Sequence, residues 1–154
     1  MYVQAKKLEN QLLRAATVGE CNVVNRLYVK DLNSDRQFLI DSGADISVLP
    51  KSLCSASENT EMILYAANGS EIKTYGKSRI TLNLGLRRPF SWTFVVADVK
   101  NAIIGADFLK FYDLLIDLKR NILRDRRTQL STSCSISKIQ ADSVKAFNVN
   151  NELK

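Results

Sequence analysis

Residues 38–45 read FLIDSGAD, and the fold turns on why three apolar residues run straight into Asp41. Phe38, Leu39 and Ile40 have the texture of a buried strand. Ser42 and Gly43 are small enough to let the chain turn sharply. Asp-Ser-Gly is good turn chemistry by itself, and a bare Asp-(Ser/Thr)-Gly occurs by chance in roughly one chain of this size in ten to twenty. The sharper reading is that a carboxylate is held at the strand end to act on water. Residues elsewhere must decide between the two.

Outward from that stretch the chain has a β texture from Val23 onward. VVNRLYVKD (23–31) reads as a strand, LNSD (32–35) as a turn, and RQFLI (36–40) as the returning strand. DISVLP (45–50) is a short extended piece stopped by Pro50, and KSLCSASENTE (51–61) is loop. MILYAANGSEIKTYGKSRITLNLGL (62–86) alternates about Asn68-Gly69, a two-residue hairpin signal. After the turn RRP (87–89) comes FSWTFVVADV (90–99), a strand apolar on both faces. NAIIG (101–105) is short and apolar, ADFLKFYD (106–113) suits one or two turns of helix, and LLIDLKRNIL (114–123) returns to strand. Beyond Arg124 the sequence is polar, Ser-rich and aperiodic, with no packed structure of its own expected. Residues 1–20 carry a weak amphipathic pattern in Val3, Leu8, Leu12 and Ala15. Hence three segments are expected: an N-terminal extension (1–21), a mostly-β domain with one short helix (22–124), and a polar basic tail or linker (125–154).

Composition narrows the chemistry. The chain has 154 residues, 45% hydrophobic and 25% charged, which is ordinary globular usage with room for a real core. No apolar run reaches the roughly 18 residues that span a bilayer, and the charged N-terminus argues against export. The three cysteines, Cys21, Cys54 and Cys134, are widely spaced without a CxxC, so reduced thiols and a cytoplasmic setting are expected. There is no histidine, which removes Ser-His-Asp and Cys-His catalysis and the usual zinc hydrolases. Phosphate-cradling glycine loops are absent too. Carboxylates are the remaining catalytic chemistry. The formal charge of +6 divides into +1 over residues 1–20, zero over 21–118 and +5 over 119–154. KRNILRDRR (119–127) could touch nucleic acid nonspecifically, but a solvated charge run is the simpler reading.

Two more motifs sharpen the acid. The Asn68-Gly69 tip lies 27 residues beyond Asp41, and AIIGAD (102–107) places two isoleucines and Gly105 some 64 residues beyond it, directly before the helix. In that order and spacing, FLIDSGADISVLP (38–50), LYAANGSEIKTYG (64–76) and IIGADFLKFYDLLIDLKRNIL (103–123) resemble a retropepsin. They are most similar to the aspartic protease segment in Pol polyproteins of gypsy-type LTR retrotransposons. The likeness spans about residues 24–124. The tail RDRRTQLSTSCSISKI (124–139) resembles the stretch leading from such proteases toward reverse transcriptase.

The resemblance implies a closed, retropepsin-like β-barrel with one short helix near its C-terminus, assembled as a homodimer. It implies an aspartic endopeptidase that needs no cofactor or metal and cuts extended polypeptide, its own polyprotein first, in the cytoplasm or within retroelement particles. Carboxylate hydrolysis of a peptide needs two acids on one water, and a chain with one Asp-Ser-Gly must take the second from another copy. Asp41, Ser42 and Gly43 are the implied catalytic residues, with Ser42 bonding across the two-fold axis and Gly43 allowing close approach of the peptide. Ala44 and Asp45 would line the substrate channel. Asn68, Gly69 and Ser70 would tip a flap closing over substrate, and Ile103 and Ile104 would lie beneath the loops. Asp107 would open the helix as an N-terminal acid. Many viral relatives carry Arg after the glycine, where it pairs with an acid like Asp45; Ala106 stands there instead. The rival expectation is a catalytically silent dimer of the same fold that binds peptide or only assembles.

Overall fold

The computed structural model describes residues 23–54 and 62–140. Two compact units divide the chain: Arg26–Ser137, and a second made of Met1–Asn25 with Lys138–Lys154. The N-terminal extension and its amphipathic pattern lie outside the described residues, as do 55–61 and 141–154. Among the described residues no helix is long and apolar enough to cross a membrane.

The fold is mostly β. Its strands are β1 (Val23–Lys30), β2 (Gln37–Ile40), β3 (Val48–Pro50), β4 (Leu64–Tyr65), β5 (Glu71–Ile72), β6 (Thr74–Leu82), β7 (Phe90–Ala97), β8 (Ala102–Ile104), β9 (Leu114–Asp117), β10 (Ile122–Asp125), β11 (Ser131–Ser133) and β12 (Ser135–Gln140). The single α-helix among the described residues, α1 (Ala106–Phe111), follows β8, and a 3-10 turn at Lys51–Leu53 follows β3. The principal sheet runs β12-β1-β2-β8-β3-β7-β6. β2 and β8 pair in parallel, with Ile40 opposite Ile104, and β8 pairs antiparallel with β3 at Ile103 and Val48. β8 therefore sits between two strands that precede it in sequence, and the connection from β2 to β3 must arch over its C-terminal end.

Burial explains the strand readings. Phe38, Leu39 and Ile40 are all buried, as an inner strand covered on both faces requires. On β6 the exposed positions are Lys77, Arg79 and Thr81, so cations shield an outermost strand. Phe38, Phe90, Phe94 and Phe108 are fully buried, with Phe94 and Phe108 ring centroids 6.3 Å apart. Each such side chain contributes about 1.5–3 kcal/mol through burial. The main core joins Leu27, Val29 and Ile40 of the large sheet to Leu109 of α1, Leu114 of β9 and Leu123 of β10.

The expected closed barrel is not what forms. Among the described residues the sheet is open, with β6 and β12 as its edges, because β9, β10 and β11 make a separate three-stranded sheet. That sheet and α1 cover the apolar face that a closing strand would otherwise cover. The cause is local. LLIDLKRNIL does not run on as one strand; it turns back through Leu118–Asn121, where Asp117 Oδ1 accepts the Arg120 N–H at 3.0 Å and Asn121 takes a left-handed φ of 55°.

The chain beyond Arg124 also departs from the expected loose tail: position 124 lies inside β10, and strands continue to Gln140. Asp125 is the anchor. It has no solvent exposure, and Arg88 grips it in bidentate fashion, Nε to Oδ2 at 2.6 Å and Nη2 to Oδ1 at 3.0 Å. Arg88 also donates to the Tyr112 carbonyl and lies over the Phe90 ring. Burial by itself pushes the Asp125 carboxyl upward, but the Arg88 hydrogen bonds, the Arg127 N–H and the guanidinium charge outweigh it and hold the group below the usual carboxylate range.

Candidate active site

The loop from Asp41 to Ser47 spans the gap between β2 and β3. The Asp41 N–H donates to the Ile104 carbonyl at 3.0 Å, extending the β2–β8 ladder by one residue. The chain then turns. The Ala44 N–H donates to the Asp41 carbonyl at 3.1 Å, and the Gly43 N–H donates to Asp41 Oδ1 at 3.0 Å. A Cβ on Gly43 would lie 3.2 Å from that same oxygen, so the smallest residue is needed here. Asp41 is half-buried, while Ser42 and Gly43 are exposed. Among the described residues no other group donates to the Asp41 carboxylate, so Oδ2 is open.

The far end of the loop is clamped. The Ala106 N–H donates to the Ala44 carbonyl at 2.7 Å. Gly105 packs so closely that a Cβ would stand 2.7 Å from the Ala44 carbonyl oxygen and 2.9 Å from Ile46 backbone. Its N–H donates to Ser47 Oγ at 2.9 Å, and Ser47 Oγ donates to Asp107 Oδ1 at 2.6 Å. Asp107 collects three further donors: the Ser47 N–H at 3.1 Å, Trp92 Nε1 at 3.2 Å and its own helix's Phe108 N–H at 2.7 Å. Asp107 does stand in the first turn of α1, but most of its bonding holds the loop. Ser47 and Trp92 escaped the sequence reading. The available signal was one serine set between Ile46 and Val48 in an apolar run, at a position that proves fully buried.

The two isoleucines of β8 part company. Ile104 is fully buried in the main core, so only its carbonyl reaches the loop. Ile103 is half-buried in a second apolar cluster with Ile46, Val48, Met62, Leu64 and Ile72. That cluster ties the base of the β4–β5 hairpin to the loop; among the described residues the tip makes no hydrogen bond to it. Asn68, Gly69 and Ser70 form the tip, but not as the two-residue turn that Asn-Gly suggests. The Ala66 N–H donates to the Ser70 carbonyl at 2.8 Å and the Gly69 N–H to the Ala66 carbonyl at 2.9 Å. Only Gly69 takes a positive φ, 82°. This is the three-residue hairpin loop with glycine at its left-handed position. Asn68 keeps a negative φ and spends its Oδ1 on the Ser70 N–H and hydroxyl.

Asp45 is exposed, and among the described residues its carboxylate has no hydrogen-bond or ion-pair partner. Among the same residues no group of three His, Cys, Asp or Glu stands ready to hold a metal ion. An aspartate backed by a clamped loop, with one oxygen free, can polarise a water; it cannot by itself also protonate the carbonyl under attack.

The architecture has a solved counterpart. The retroviral protease-like domain of Ddi1 from Leishmania major superposes with a TM-score of 0.55 at 24% identity, over 73% of this chain and 95% of that domain. EIAV protease bound to the inhibitor HBY-793 aligns at 21% identity with a TM-score of 0.45, over 66% of this chain and 97% of that one. No family model matches the sequence, and no curated protein matches it. The chain thus has a retroviral protease-like fold.

Proposed function

We propose that the chain is an aspartic endopeptidase of retroelement origin, similar to the protease of a gypsy-type LTR retrotransposon Pol polyprotein, acting as a C2 homodimer. Each copy contributes one Asp41. Two carboxylates brought onto one water share a proton, because both cannot readily ionise together. The ionised one takes a proton from water as the oxygen attacks the peptide carbonyl carbon; the protonated one gives its proton to the carbonyl oxygen. Collapse of the resulting diol breaks the C–N bond, and the departing nitrogen takes a proton back.

The single observation carrying this reading is the open oxygen of Asp41 on a loop clamped to β8 and α1. Ser42, exposed beside it, bonds across the two-fold axis. Gly43 and Ala44 leave room for the peptide backbone, and Asp45 lines the channel. Ile103 meets substrate side chains. Asn68, Gly69 and Ser70 close over an extended polypeptide, the chain's own polyprotein being the first candidate, within the cytoplasm or retroelement particles.

The test is cleavage of a flanking polyprotein fragment by the parent and by Asp41→Asn across a range of enzyme concentrations. Parent activity should fall faster than linearly on dilution, as a dissociating dimer requires. The variant should lose about a thousandfold or more. Cleavage by neither protein would leave the silent, peptide-binding dimer as the better reading, and equal cleavage by both would remove Asp41 from the chemistry.

A further inference from the structure

Among the described residues, acids usually have partners. Asp31 accepts from Asn33, Ser34 and Asn83; Asp35 pairs with Lys30, Asp113 with Arg126, Asp117 with Arg120 and Asp125 with Arg88. Among the described residues the side chains of Asp45, Glu71 and Asp98 are the exceptions, and of these only Asp45 belongs to the loop carrying Asp41. Nothing nearby in sequence can neutralise it. Ala106, whose N–H binds the same loop, offers only a methyl group. Lys51, the next cation along the chain, lies over the Tyr75 ring at 4.0 Å. Residues 55–61, SASENTE, contain no base.

Asp45 also has a distinct neighbour. Ile46 turns into the apolar cluster with Ile103, Met62 and Leu64, whereas Asp45 faces solvent. A peptide laid along this loop in extended form sends successive side chains to opposite sides. It therefore meets an apolar surface at one position and, close by, a negative charge unpaired among the described residues.

We infer that Asp45 is a specificity residue that selects a cationic side chain, Lys or Arg, in the bound peptide. The inference rests on the aspartic protease reading of the same loop and adds a substrate class to it: extended peptides carrying a base near an apolar residue. A carboxylate serving only as acceptor for backbone amides would do equally well as a neutral carboxamide, whereas a carboxylate selecting a cation would not. An exposed ion pair changes affinity by up to about fivefold, and partial exclusion of water beneath a closed hairpin raises that to about 20-fold.

The experiment uses the full chain and a peptide set in which each position in turn is Lys, Arg, Gln or Glu, with the Gln peptide as each protein's own reference. The parent should favour Lys or Arg over Gln at one position by about 5- to 20-fold in kcat/KM, and less so at high salt. Asp45→Asn should compress that ratio to within about twofold, and Asp45→Arg should turn it toward Glu. A parent without the preference, or an Asn variant that keeps it, overturns the proposal. If the parent cleaves no peptide, the endopeptidase reading fails by itself. Fluorescence anisotropy of the same peptides on the Asp41→Asn protein, with and without Asp45→Asn, then decides the Asp45 question alone. A charge-dependent difference supports selection, and equal or absent binding overturns it.

Discussion

Asp41 and Asp125 stand at the ends of strands β2 and β10, and the chain treats them in opposite ways. Asp125 is fully buried, and its carboxylate accepts two bonds from Arg88 and one from the Arg127 N–H. Asp41 is half-buried and receives one N–H, from its own turn. The backbone around Asp41 is nonetheless as firmly held, through Ile104, Ala106 and Ser47. On the proposed function, that difference separates a structural carboxylate from a catalytic one. In the first, donors point at the acid; in the second, donors point at the loop and leave the acid free.

Breaking each aspartate tests that contrast. Asp41→Asn should have the largest effect on function, a loss of about a thousandfold or more in cleavage, with stability changed by less than about 0.5 kcal/mol. A large shift in its urea midpoint would make Asp41 a second structural acid. Asp125→Ala should do the reverse. It strands the mostly buried Arg88 and should cost about 3–5 kcal/mol by urea unfolding, while the paired Arg88→Met/Asp125→Leu replacement stays near neutral. If both behave alike, packing rather than charge pairing anchors β10.

Gly105→Ala sharpens the comparison from the loop's side. Its Cβ would press on the Ala44 and Ile46 backbone, so a loss of about 1–3 kcal/mol is expected, together with loss of cleavage. Parental activity in a stably folded Ala variant would mean that the loop tolerates displacement.

The smallest effect concerns pH. The Asp125 carboxyl titrates lower folded than unfolded, so the unfolded chain binds protons first as the solution acidifies. This contribution is complete above the unfolded value of about 3.9 and is lost as pH falls through the lower folded value. The melting temperature should therefore fall more steeply toward acid in the parent than in Arg88→Met/Asp125→Leu. Parallel curves would remove Asp125 from the acid transition.

The contrast also marks where sequence reading succeeds. Strand β2 running into Asp41, the hairpin carrying Asn68-Gly69, and the Gly105–Asp107 passage into α1 were legible because each is a local pattern of apolar residues followed by a turn or cap. The type of hairpin loop was not, since it depended on Asn68 bonding to Ser70 rather than adopting a left-handed φ. RDRR at 124–127 read as solvated because charge is usually exposed, yet one of its members is buried by Arg88, 37 residues earlier in the chain. Ser47 and Trp92 were hidden for the same reason: each acquires its role from Asp107, at a distance no short window contains.

Consider finally the slotting of β8 between β2 and β3. The loop bearing Asp41 holds its own turn with two hydrogen bonds, but its anchors, Ile104, Gly105, Ala106 and Asp107, come from some sixty residues later. Because a nascent chain emerges from its N-terminus first, the acid is synthesised long before the scaffold that fixes it, and closure of that long loop limits how early the native arrangement forms. A half-made polypeptide thus carries the loop without the strand that anchors it. The native loop forms only when the later strand threads home, a built-in delay between making the acid and fixing it.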